Sequence, residues 1–98
     1  MNMMEQLQMM KQKMEEIKEN LEHIKVTGES AEGAIKVTAN GNRKIKSITI
    51  TDELRFAASD ELEEQLTVAI NRALEKSEEI NEREMKSLTM GMLPPGMF

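Results

Sequence analysis

From Met3 to Ile24 the apolar residues fall at Met3, Leu7, Met10, Met14, Ile17, Leu21 and Ile24, separated alternately by four and three residues. A period of 3.5 places all of them along one stripe of a helix, at the a and d positions of three heptads. About 20 residues at 1.5 Å rise make a rod of roughly 30 Å, and a lone helix cannot bury such a stripe. The segment must therefore pack against another helix, in its own chain or in a second copy. The remaining charges, Glu5, Glu15, Glu16, Glu19 and Glu22 with Lys11, Lys13 and Lys18, read as its solvated faces. The stripe is rich in Met, whose unbranched thioether fills gaps without fixing register. A packing seam is thus the plainer reading, ahead of a Met-lined ligand groove.

Ninety-eight residues with aromatics only at Phe56 and Phe98 leave room for one thin core. Self-association is the expected source of further burial, so a homodimer is expected, with Leu7, Met10, Met14, Ile17, Leu21 and Ile24 at its interface. The absence of cysteine removes disulfides and thiolate metal sites. No apolar run is long enough to cross a bilayer, and the N-terminus lacks the pattern of a signal peptide; the expected location is the cytoplasm.

After Ile24 the period changes from 3.5 to 2. Ile24, Val26 and Gly28 alternate with polar residues, as do Ile35, Val37 and Ala39, and a third alternating run ends at Ile50. The expectation is a three-stranded antiparallel meander. Gly28 and Gly33 bracket a polar turn between the first two strands, and Asn40-Gly41 supplies positive φ angles for a tight turn into the third. The third strand breaks the pattern: Lys46 shares a face with Ile48 and Ile50, whereas Ile45 falls on the other. A longer turn or a bulge would repair that register.

A second helix is signalled by Asp60 as N-cap, with Glu63 completing a capping box. Its stripe of Leu62, Leu66, Ala69, Ile70, Ala73, Leu74 and Ile80 suits one face of a small sheet. Beyond about Met85 the pattern fades, so a single domain is expected over 1–87, followed by a flexible Met/Pro/Gly tail over 88–98. The fold class is α+β, in the order α-β-β-β-α.

Catalysis finds few candidates here: no Cys, no Tyr and a single His. His23 falls in the last turn of the first helix, where a partial positive charge is favourable. The adjacent pairs Glu15/Glu16, Glu63/Glu64 and Glu78/Glu79 diverge by about 100° on a helix rather than converging on a proton or metal. "GESAEG" lacks the Lys-Ser/Thr of a phosphate-binding P-loop. The expectation is a non-enzyme without metal or cofactor.

Net charge is −5, unevenly spread. Acids dominate residues 1–33 and 52–98, while 34–51 carries Lys36, Arg43, Lys44 and Lys46 and no acid. With Lys25, Arg72, Lys76, Arg83 and Lys86 as helpers, this block could neutralise DNA phosphates; the bland alternative is that it only solubilises sheet edges. Lacking Trp and Tyr, the chain is poorly equipped for base stacking, so contact with the backbone is expected rather than base readout.

The run "VTGESAEGAIKVTANG", preceded by the heptad helix and followed by "NRALEKSEE" and "GMLPPGMF", resembles the YbaB/EbfC family of bacterial nucleoid-associated proteins. The likeness covers nearly the whole chain. It implies an α-β-β-β-α subunit, homodimerisation through the sheet and first helix, and binding of double-stranded DNA with relaxed sequence preference, changing DNA shape or compaction in the nucleoid. The family often has Asp-Pro after the third strand where this chain reads "TDEL". An alternative function is a dimeric adaptor that binds a protein partner through the Met-rich helix or the Pro-Pro tail. No membrane partner is expected.

Overall fold

The computed structural model describes residues 2–51 and 58–92. Helix α1 spans Met3–His23, followed by strands β1 (Lys25–Ser30), β2 (Ile35–Asn40) and β3 (Ile45–Ile50) and helix α2 (Ser59–Met92). The strands form one antiparallel sheet in the order β1-β2-β3, so the protein is α+β with the α-β-β-β-α succession. Residues 52–57 and 93–98, which hold all of the "TDEL" exit but Thr51, and the Pro-Pro segment, lie outside the described residues.

At the start of α1 the Asn2 Oδ1 accepts the Glu5 amide at 2.8 Å, satisfying one of the free N–H groups of the first turn. The helix ends at Ile24, which is extended and leads directly into β1. β1 pairs with β2 from Lys25↔Asn40 to Ser30↔Ile35. Their connection is a 3₁₀ turn, Ala31–Gly33, in which Ala31, Glu32 and Gly33 all have positive φ.

Gly28 does not shape that turn. It lies inside β1, where a Cβ would run into the Ala69 carbonyl and the Ala73 amide of α2. Glycine there, facing two alanines, lets the helix backbone settle onto the strand. The core follows from this approach: Val26, Ile35, Val37 and Ala39 of the sheet close on Ala69 and Ala73, with Leu62, Leu66, Ile70 and Ile80 packed around them.

The turn between β2 and β3 is longer than two residues, as the register of the third strand requires. Asn40 N–H donates to the Lys44 carbonyl at 2.9 Å and Arg43 N–H to the Asn40 carbonyl at 3.2 Å, so residues 41–43 form the loop. Its positive φ falls on Arg43 (64°) rather than on Gly41. Gly41 serves close approach instead: its N–H donates to the Leu21 carbonyl at 2.8 Å, and a Cβ would fall 2.7 Å from Leu21 Cδ2.

Register shifts between Thr38 and Ala39, which pair with Ser47 and Ile45, leaving Lys46 as the extra residue of a bulge. Cross-strand partners share a face, so Ile45, Ile48 and Ile50 all join the face of Ala39, Val37 and Ile35. The bulge therefore resolves the broken alternation of the third strand. Ile45 and Ile48 nevertheless stay 38% and 44% exposed.

Helix α2 begins earlier than Asp60. The Ala58 carbonyl accepts the Leu62 amide at 3.0 Å, and the Asp60 carboxylate takes the neighbouring Glu61 amide instead of capping. At the other end α2 passes through Gly91 to Met92, so residues 88–92 of the expected tail are helical. Thirty-four residues span about 50 Å. Part of that length covers the sheet and part runs beside α1, giving an elongated protein of 62 × 24 × 16 Å.

Candidate nucleic-acid interface

The loop over residues 41–43 is held from both sides by the helices. On the α1 side, the Asn42 side-chain amide donates to the Lys18 carbonyl at 2.9 Å and to Glu22 Oε2 at 2.7 Å. On the α2 side, the buried Ser77 Oγ donates to the Asn40 carbonyl at 2.6 Å and accepts the Arg43 amide at 2.9 Å. Asn81 donates to the Gly41 carbonyl at 3.0 Å. Asn40 organises the loop internally, its Oδ1 accepting the Asn42 and Lys44 amides. These contacts fix Arg43 in a left-handed conformation that a non-glycine residue seldom adopts.

From this platform the basic residues diverge. Arg43 turns toward α2 and pairs with Glu78 at 2.8 Å. Lys44 and Lys46 turn toward α1 and share Glu22, at 3.8 and 3.7 Å. Lys36 stands on the sheet face away from α2, 4.0 Å from Glu29. The four cations that form one block in sequence are therefore split three ways, and only Lys44 and Lys46 are brought together.

Glu22 is the hub of the α1 side. The Asn42 amide above all holds its carboxyl below the ordinary carboxylate range; partial desolvation opposes this, and Lys44 and Lys46 add to the lowering. The Asn40 amide contributes weakly in the same direction, although its buried Nδ2 makes no hydrogen bond.

Arg72 and Lys76 serve β1. The Arg72 guanidinium donates to the Glu29 carbonyl at 2.7 Å and the Lys76 ammonium to the Thr27 carbonyl at 2.6 Å. Lys25 is exposed at the start of β1. Register places Lys25, Thr27, Glu29, Lys36, Thr38, Ser47 and Thr49 on the same polar face of the sheet. Its hydroxyls are potential phosphate donors that a count of charges overlooks; the alternation of Thr27, Thr38 and Thr49 with apolar neighbours or glycine is the signal in the sequence.

The stripe of α1 divides along its length. Leu21 is fully buried within the protomer, and Ile17 borders a groove shared with Glu84, Ser87 and Leu88 of α2. Met14 and Leu7 are 36% and 57% exposed. Met10 and Ile24 are half-buried. Leu21 thus offers no side-chain surface to a second copy, and the uncovered part of the stripe lies N-terminal to it.

Among the described residues, no three His, Cys, Asp or Glu converge into a metal-holding group, and no helix is long and apolar enough to cross a membrane.

A family model described as the YbaB/EbfC DNA-binding family matches residues 1–92. The chain belongs to that family. A curated relative from Flavobacterium johnsoniae, named a nucleoid-associated protein, is 38% identical over 99 residues, covering 99% of this chain and 92% of the relative. Among solved structures, an uncharacterized protein from Helicobacter pylori aligns with a TM-score of 0.68 at 24% identity, over 89% of this chain and 98% of the other. That likeness establishes the shared fold.

Proposed function

We propose that this YbaB/EbfC protein binds duplex DNA as a homodimer, mainly through phosphate contacts, and changes the path or compaction of DNA in the nucleoid. Family membership across residues 1–92 carries this reading. The chemistry of the surface supports it. Lys36, Arg43, Lys44 and Lys46 have side chains 47–66% exposed. Ion pairs so open to solvent hold their partners by roughly 0–1 kcal/mol, so a phosphate can replace Glu29, Glu78 or Glu22 at little cost. Because each cation keeps a carboxylate nearby, affinity per protomer is modest, and doubling the cations in a dimer compensates. Arg72 and Lys76 contribute less, being engaged with main-chain carbonyls.

The homodimer reading rests on apolar surface that one protomer leaves open: Met3, Leu7 and Met14 on α1, and Ile45 and Ile48 on β3. The same exposed methionines favour a second reading, an adaptor for a protein partner.

Fluorescence anisotropy with labelled duplex tests the first reading. Replacing Lys36, Lys44 and Lys46 together by Gln is expected to weaken binding at least about tenfold at low salt, through the loss of most of the dimer's phosphate contacts. Unchanged affinity in this variant would remove these residues from the interface. Deleting residues 93–98 is expected to leave DNA affinity intact, whereas loss of a captured protein partner on that deletion would favour the adaptor.

A further inference from the structure

The two bonds from α2 to β1 have a geometry that exceeds simple docking. β1 is an edge strand. Alternate residues of an antiparallel edge direct their main-chain groups away from the sheet, where they can template another strand. In β1 those residues include Thr27 and Glu29, and their carbonyls are occupied by Lys76 and Arg72. Four residues of helix advance about 6 Å, and two residues of strand advance about 6.6 Å. An i, i+4 pair on α2, running antiparallel to β1, therefore meets successive outward carbonyls in register. The recess alongside is lined by Glu75 and Glu79, so the carbonyls of an approaching strand would also meet carboxylates.

We infer that Arg72 and Lys76 form an edge guard that prevents a second copy of this chain from adding its own β1 strand here, and so keeps self-association closed. Such a guard acts whether or not the protein binds DNA. A protein that joins copies through one surface forms a finite assembly. Opening a second, self-complementary edge lets copies join on both sides and the assembly grow without limit. The matching strand is β1 itself, since two copies related by a two-fold axis pair antiparallel. β3, the opposite edge, lies away from this basic pair, and its exposed Ile45 and Ile48 leave it the more open side of the sheet.

The test is the mass of full-length R72M/K76M by light scattering coupled to gel filtration. Methionine keeps the apolar length of both side chains while removing the donors. The substitutions also make an already acidic chain more acidic by two charges, which alone would oppose association.

Wild-type mass is expected to reach a plateau between about 5 and about 200 μM. R72M/K76M is expected to exceed the wild-type mass at least about twofold at the top of that range and to keep rising. The exchange variant R72K/K76R, which restores a donor at each carbonyl, should match the wild type. If the double variant unfolds by circular dichroism, R72M and K76M are measured singly, each opening one carbonyl. A folded double variant, or both folded single variants, with wild-type mass at every concentration would overturn the inference. So would growth of the exchange variant equal to that of R72M/K76M.

Discussion

At its sheet end α1 is locked: Leu21 is fully buried, its carbonyl receives the Gly41 amide, and Asn42 binds both Lys18 and Glu22. At the other end Met3 and Leu7 are 76% and 57% exposed. The same four-three spacing runs through both. A heptad stripe thus reports that a helix seeks cover and not where the cover comes from. Here the protomer supplies it near Leu21 and leaves the N-terminal half of the stripe to whatever packs beside it.

The strongest way to break the locked region lies beneath it, at the contact of α2 with β1. Gly28→Ala places a methyl against backbone atoms of Ala69 and Ala73, which cannot rotate aside. Urea unfolding should show a loss of about 3 kcal/mol or more, at or above the usual cost of overpacking. A wild-type midpoint would mean that α2 does not seat on β1 this closely.

Next in size is a matched pair on the stripe itself. Leu21→Ala removes a fully buried side chain and is expected to cost about 3 kcal/mol. Leu7→Ala should change protomer stability by no more than about 0.5 kcal/mol. The second substitution sharpens the contrast when mass is measured: if the open half of the stripe is a dimer seam, sedimentation equilibrium of L7A shifts toward monomer while its fold is intact. Equal stability losses for L21A and L7A would erase the distinction between the two ends.

The smallest effect concerns Glu22, at the rim of the locked end. Its carboxyl sits below its ordinary range mainly through the Asn42 amide, aided by Lys44 and Lys46. A carboxylate with a depressed folded-state pKa stabilises the protein above its unfolded-state pKa. That contribution is lost as pH falls through the folded value. E22Q should therefore show a shallower fall in thermal midpoint on acidification than the wild type. Parallel pH profiles would exclude Glu22 as a contributor to acid sensitivity.

Much of this architecture is legible in the residues because it is local. The period change after Ile24 marks the boundary of α1, alternation marks the strands, and the misfit of Ile45 calls for the bulge found at Lys46. What escapes is set by contacts between distant segments. Gly28 reads as a turn residue until α2 is seen crossing it, and Gly41 as a positive-φ residue until Leu21 is seen above it.

The candidate interface follows the same rule. Its basic residues are plain in the sequence, but a loop held between two helices sends Arg43 to one side and Lys44 with Lys46 to the other. Arg72 and Lys76 read as charge, whereas their partners are carbonyls 43 and 49 positions away.

The central claim, that this protein holds DNA by its phosphates, is tested most directly by the salt dependence of the binding constant on AT-rich and GC-rich duplexes of equal length. Phosphate binding gives a straight fall of log K with log salt, of slope about −4 if some four phosphates are neutralised, and nearly the same line for both duplexes. Binding that ignores salt, or no binding at low salt, would contradict it.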